Sequence, residues 1–112
     1  MKISKGAIYL ANLNPQRKKE VGKIRPVLVI QNDILFENGY PTTLIMPLTT
    51  DLVDESYPLR YRITKREKLK EDSDVLIAHV RAIDNARFIE YLARVTPKEL
   101  EEILQALDDI IK

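Results

Sequence analysis

The side chains of this sequence that can do chemistry are mostly cationic, and they are unevenly placed. Residues 1–32 carry seven Lys or Arg against one Glu, a local charge of +6 in a chain of net charge +1. Arg17, Lys18 and Lys19 stand in a row inside the polar stretch Asn14 to Lys23 (NPQRKKEVGK). Charge of one sign concentrated in this way attracts phosphates even on a nearly neutral protein, although such a run is as readily a solvated loop. Arg25, just before Pro26, reads on its own as a surface charge at a strand edge. His79 is the one histidine. Its ordinary pKa suits general acid or base work, and a hydrogen-bonded or ligand-contacting strand histidine is the plainer reading. With no cysteine, neither a disulfide framework nor a thiolate nucleophile or metal ligand is available. A single histidine also argues against a zinc cluster.

These residues have to be held by short strands. Gly6 to Asn12 alternates Ile8 and Leu10 against Tyr9 and Ala11, a strand apolar on both sides. Asn14 to Lys23, punctuated by Pro15 and Gly22, predicts a loop between two strands. Arg25 to Asn32 (RPVLVIQN) is rich in β-branched residues and predicts a buried strand with Pro26 at its beginning. Asp33 to Pro41 reads as a second loop, and Thr43 to Thr49 (TLIMPLT) as a third strand. Tyr57 to Ile63 alternates, with Tyr57, Leu59, Tyr61 and Ile63 on one face and Arg60 and Arg62 on the other, an ordinary exposed face. Ser73 to Ile83 predicts another strand, on which alternation places His79 beside Arg81, and Ile89 to Val95 the last.

Thr96 to Glu99 (TPKE) is a capping box with proline at the first helical position. Leu100, Ile103, Leu104, Leu107, Ile110 and Ile111 then recur at helical spacing, a stripe for core or dimer packing. Strands in succession closed by one amphipathic helix predict a mainly β fold, a small antiparallel barrel or curled sheet with a helix packed on it. At 112 residues and 45% hydrophobic content, one domain spanning residues 1–112 can form its core without crosslinks. The aliphatic run Val27 to Ile30 is far short of the roughly 20 residues of a membrane span. Met1 to Gly6 leads straight into a strand pattern rather than an apolar signal segment. Both point to a cytoplasmic protein that makes no use of a membrane.

Five segments, taken in order, resemble the MazF/PemK toxin family. GAIYLANLNP from Gly6 is similar to the family's G-D-I-[WY]-x-x-x-[LF]-x-P opening, and Glu20 and Gly22 follow. RPVLVIQND, Arg25 to Asp33, is the most specific stretch. Met46 to Thr49 resembles the apolar strand that delivers a family Thr or Ser. DSDVLIAHVRAID, Asp72 to Asp84, matches D-S-x-x-x-x-x-x-[IV]-R-x-I-D, and Thr96 to Leu107 resembles the terminal helix.

The resemblance implies an SH3-like barrel, a homodimer, an antitoxin partner, and sequence-specific cleavage of single-stranded RNA by its own 2′-hydroxyl. That route leaves a 2′,3′-cyclic phosphate and a 5′-hydroxyl, with no cofactor and no metal. Arg25 and Thr49 become the central pair. An arginine fork can donate two hydrogen bonds to phosphate oxygens in fixed geometry, and a Thr hydroxyl can add another. Glu20 and His79 are the two candidates for the base, since arginine stays protonated at ordinary pH. Arg17, Lys18, Lys19, Thr50 and Arg81 are expected to contact RNA, and the basic segment to attract an acidic, disordered antitoxin tail that competes with it.

Three departures stand out. Ala7 replaces an acidic residue, the first loop is rich in lysine where GSEQGG-like sequences are common, and Leu76 and Ala78 stand where the PemK/Kid branch has Arg and Asp, which excludes that branch's acid and base here. A CcdB-like gyrase poison is the alternative from another class, but that group ends in a Trp-containing tail and this chain has no tryptophan.

Overall fold

The structure is a computed structural model that describes residues 1–14 and 23–112. Expectations that fall on Pro15 to Gly22, among them Arg17, Lys18, Lys19 and Glu20, lie outside the described residues. In chain order the elements are β1 (Ala7–Asn12), β2 (Ile24–Val29), a short helix α1 (Asp33–Glu37), β3 (Thr42–Thr49), β4 (Arg60–Ile63), β5 (Ser73–Leu76), β6 (Arg81–Asp84), β7 (Phe88–Arg94) and the terminal helix α2 (Pro97–Ile111). Single 3-10 turns, Ile77–His79 and Asn85–Arg87, flank β6. Among the described residues the seven strands form one sheet along the path β4-β5-β3-β2-β1-β7, with β6 also paired to β3. Every pairing is antiparallel. This is the mainly β, barrel-like architecture with a C-terminal helix that the sequence predicts.

Alternation along the central strands supplies two cores, one on each face of the sheet. Ile8, Leu28, Met46 and Leu48 pack with Ile103 and Ala106 of α2. Ala7, Tyr9, Ala11, Val27, Val29 and Ile45 form the second cluster with Leu13 and Ile83. Tyr9 is the largest buried side chain there; its Oη donates to the Lys2 carbonyl and accepts the Ser4 N–H, both at 3.0 Å, and its ring meets Phe88 and Tyr91 edge to face. Gly6 opens β1 at φ +86°, where a Cβ would lie 3.2 Å from Arg94 Nη1.

The capping box is realised as predicted. Thr96 Oγ1 accepts the Glu99 N–H at 3.0 Å, and Glu99 Oε1 accepts the Thr96 N–H at 2.8 Å. The same carboxylate takes both arms of Arg66, at 2.5 and 2.9 Å, so the start of α2 is bolted to the turn that follows β4. Along the helix, Ile103 and Ala106 are buried and Leu100, Leu107 and Ile110 flank them, whereas Ile111 faces solvent.

Three expectations are corrected. The strand read from Ser73 to Ile83 is broken by the turn Ile77–His79 into β5 and β6. The partners on β3 show why. Ile45 faces Arg81, but Leu48 faces Val75, so the returning segment carries three extra residues between the two pairings. Tyr57 to Leu59 is a turn rather than strand, closed by the Leu59 N–H donating to the Ser56 carbonyl at 2.7 Å, and β4 begins at Arg60. The loop read from Asp33 holds the short helix α1, whose first turn is capped by Asn32 Oδ1 accepting the Ile34 N–H at 3.0 Å.

The Arg66 hydrogen bonds hold the Glu99 carboxyl below its ordinary pKa against the opposing effect of burial, helped by the Thr96 N–H. A carboxyl lowered on folding contributes stability that is complete above its unfolded pKa of about 4.3 and is lost as pH falls through the lower folded value. Glu99→Gln should therefore cost about 1–3 kcal/mol at pH 7. The difference between variant and parent should vanish in denaturant titrations carried into that acid range. A gap that persists at the lowest pH would place the Glu99 contribution elsewhere.

Candidate functional site

β2 and β3 are neighbours with Val27 opposite Pro47. The β2–β3 pairing ends there, with Arg25 two residues before Val27 and Thr49 two residues beyond Pro47, so both stand at the same end of neighbouring strands. Arg25 is half-buried, and its Nη1 donates to the Leu48 carbonyl at 3.4 Å. Burial pulls its guanidinium below the ordinary pKa, yet an arginine remains a cation at ordinary pH. Thr49 Oγ1 accepts the Asp51 N–H at 3.1 Å. Thr50 is exposed beside it. Pro47 falls where β3 changes partners on one side and pairing with β2 ends on the other, so its missing N–H interrupts no ladder there.

Side-chain parity decides which face these residues share. Arg25 lies in step with Val27 and Val29, and Thr49 with Ile45, the residues of the second core; α2 packs on the opposite face. Arg81 faces Ile45 across β6 and joins the same face. The turn Ile77–His79 brings it there. Side chains alternate with period two, so an insertion of three residues reverses the face presented by the strand beyond it. Val75 therefore packs in the core under α2, while Ile83, in step with Arg81, packs in the other. His79 sits exposed within that turn, and its expected place beside Arg81 on one strand face is not met.

The Thr50 side chain also borders two shallow clefts. One, of about 270 Å³, is lined by Leu10, Pro26, Leu69, Leu92, Lys68 and Lys70 among others. The second, of about 310 Å³, is lined by Leu52, Lys65 and Asp72 and shares Lys70 and Glu71 with the first. A larger cleft of about 430 Å³, between Tyr57, Tyr61 and α2, is lined with Glu101 and Glu102 and does not suit a polyanion.

Several residues that position this region carry no sequence expectation of doing so. Arg87 Nη1 donates to the carbonyls of Asn12, at 3.0 Å, and of Asn14. Leu13 N–H donates to the Lys23 carbonyl and Lys23 N–H to Asn14 Oδ1, both at 2.8 Å. Together they close the base of the basic segment. Arg60 and Arg62, expected as an ordinary exposed face, instead converge on Asp74. Burial alone would raise that carboxyl, but hydrogen bonds from Arg62, the Val53 N–H and Arg60 prevail and hold it below its ordinary pKa. One signal was available: an acid inside an apolar strand (SDVL) calls for a cation to pair with it. Among the described residues no three His, Cys, Asp or Glu side chains group as a metal site, and no helix is long and apolar enough to cross a membrane.

A guanidinium and a hydroxyl on one face at adjacent strand ends are groups that can donate to an anion. Residues 4–111 match the family described as PemK-like, MazF-like toxin of type II toxin-antitoxin system, and the chain belongs to that family. It is 36% identical over 108 residues to proteins named Endoribonuclease MazF from Staphylococcus epidermidis and Staphylococcus saprophyticus, covering 95% of this chain and 88% of each of those proteins. Its fold is similar to the crystal structure of MazF from Deinococcus radiodurans, with a TM-score of 0.80 and 25% identity over 99% of this chain and 97% of that one.

The pinned base of the basic segment can be tested directly. Arg87→Ala should speed amide hydrogen exchange at Leu13 and Lys23 by roughly tenfold, the equivalent of ~1.4 kcal/mol of local stability. Exchange in β3 should be unchanged. Equal acceleration throughout the sheet would show that Arg87 supports the whole fold instead.

Proposed function

We propose that this protein is the endoribonuclease toxin of a type II toxin–antitoxin pair, and that it cleaves single-stranded RNA with Arg25 and Thr49 at the scissile phosphate. The observation that supports this reading is that Arg25, whose Nη1 donates to the Leu48 carbonyl, and Thr49 stand at the same end of neighbouring strands, in a chain 36% identical to proteins named Endoribonuclease MazF.

The chemistry asks little beyond those two groups. The substrate's 2′-oxygen attacks the adjacent phosphorus as its proton leaves, and the bond from phosphorus to the 5′-oxygen breaks. The products are a 2′,3′-cyclic phosphate and a 5′-hydroxyl, the 5′-oxygen taking up a proton. Because nucleophile and electrophile belong to one molecule, the protein need only align them. Arg25 supplies a fixed cation and a pair of donors to the oxygens that gain charge, and Thr49 adds its hydroxyl. This route requires no metal. Proton removal from the 2′-hydroxyl falls to Glu20 or His79, and Arg17, Lys18, Lys19, Thr50 and Arg81 hold the flanking RNA. The same reading takes the protein as a cytoplasmic homodimer restrained by an antitoxin whose acidic, disordered tail competes with RNA for the basic segment.

Arg25→Ala should lower the single-turnover cleavage rate by about a hundredfold or more, the usual cost of losing a donor to a developing oxyanion. Thr49→Ala should lower it strongly while RNA binding changes less. Near-parental rates in either variant would remove that residue from the site. A substrate with hydrogen in place of the scissile 2′-hydroxyl should resist cleavage, and ordinary RNA should be cut in EDTA to a cyclic phosphate. Cutting of the 2′-deoxy substrate would rule out internal attack.

A further inference from the structure

The Thr49 hydroxyl is the end of a chain of hydrogen bonds. Its oxygen accepts the Asp51 N–H at 3.1 Å, which engages its acceptor side and leaves the O–H to donate elsewhere. The Asp51 carbonyl accepts from Arg60 Nη1 at 2.7 Å. That same nitrogen donates to Asp74 Oδ2 at 3.1 Å. Asp74 sits opposite Thr49 in the β3–β5 register, with its side chain 1% exposed. Its Oδ2 also accepts the Val53 N–H at 2.9 Å, and its Oδ1 accepts from Arg62 Nε at 2.5 Å. Arg62 reaches on to Asp54 at 2.9 Å. One buried carboxylate thus fixes the backbone of residues 51–53, the turn by which the chain leaves Thr49.

Stability alone is a poor account of this arrangement. A buried ion pair is commonly replaced by apolar side chains at no cost, because the desolvation of its charges offsets their attraction. Asp74 lies in a strand whose neighbours Val75 and Leu76 are buried and apolar. What an apolar residue at this position cannot do is hold the Arg60 guanidinium against the Asp51 carbonyl.

We propose that Asp74, acting through Arg60 and the Asp51 backbone, is a positioning residue that orients the Thr49 hydroxyl for RNA cleavage. The inference rests on the reading of Thr49 as a phosphate-contacting group. Misplacement of a catalytic group by a fraction of an ångström to 1 Å lowers a rate by roughly ten- to a hundredfold.

The test is a double-mutant cycle on a short RNA substrate, with kcat and KM measured for the parent, Asp74→Asn, Thr49→Ala and the double variant, each checked for its fold by circular dichroism. Asp74→Asn should lower kcat by roughly ten- to a hundredfold with little change in KM, and should have no further effect once Thr49 is alanine. Arg60→Ala removes the clamp on Asp51 while Asp74 keeps Arg62 and the Val53 N–H, so it should reproduce the result and carries the test if Asp74→Asn does not fold. If Asp74→Asn and Arg60→Ala slow the Thr49→Ala enzyme by the factor they slow the parent, or leave kcat unchanged, the positioning role is overturned. A Thr49→Ala enzyme that cuts at the parental rate is a separate result, and overturns the reading of the site itself.

Discussion

Every element that borders the site takes its place from β3, whose pairing shifts partway along its length. On one side it holds β2 in an unbroken register. On the other it meets β6 through Ile45 and β5 through Leu48, with the turn Ile77–His79 absorbing the mismatch. Because the inserted residues are odd in number, the segment reverses its faces as it passes. The hydrophobic alternation of β5 can then serve the core under α2, and that of β6 the core on the far face, without either strand exposing its apolar side. Pro47, a poor residue for an unbroken central strand, sits at the point where the ladder is already interrupted.

That division also sorts charge. The face opposite α2 receives Arg25 and Arg81, whereas α2 carries Glu101, Glu102, Asp108 and Asp109. A net charge of +1 therefore hides two arginines on one face of the sheet and a run of acids on the helix that packs on the other. Such a separation orients a polyanion as it approaches, an effect that whole-chain charge does not report. Other arginines are tied to named partners within the fold. Arg66 is spent on the helix start, Arg87 on the carbonyls of Asn12 and Asn14, and Arg60 and Arg62 on Asp74.

Local rules made α2 legible to its capping residues, because the Thr96 and Glu99 pairing is complete within one turn of chain. β1, β2 and β3 were legible through their β-branched and alternating composition, with boundaries that agree to within a residue except at the end of β2, which stops at Val29 rather than Asn32. The break at Ile77 was not, since Ser73 to Ile83 is continuously strand-like in composition and the reason to interrupt it lies on β3, some thirty residues earlier. The choice of Arg25 and Thr49 came from resemblance rather than from residue type, and nothing in either residue taken alone distinguishes it from an edge charge or an ordinary strand threonine. Asp74 was overlooked because alternation reads Arg60 and Arg62 as a solvent face. Their partner is on a neighbouring strand, and a pattern confined to one segment cannot show it.

The basic segment enters and leaves through a fixed gateway, formed by the Leu13–Lys23 backbone bond, the Asn14 side chain and Arg87. Arg25 follows just two residues beyond it. A gateway of this kind ties the end of β1 to the start of β2 through contacts made by Leu13, Asn14, Lys23 and Arg87 themselves, so the two strand ends are held in place from within the fold.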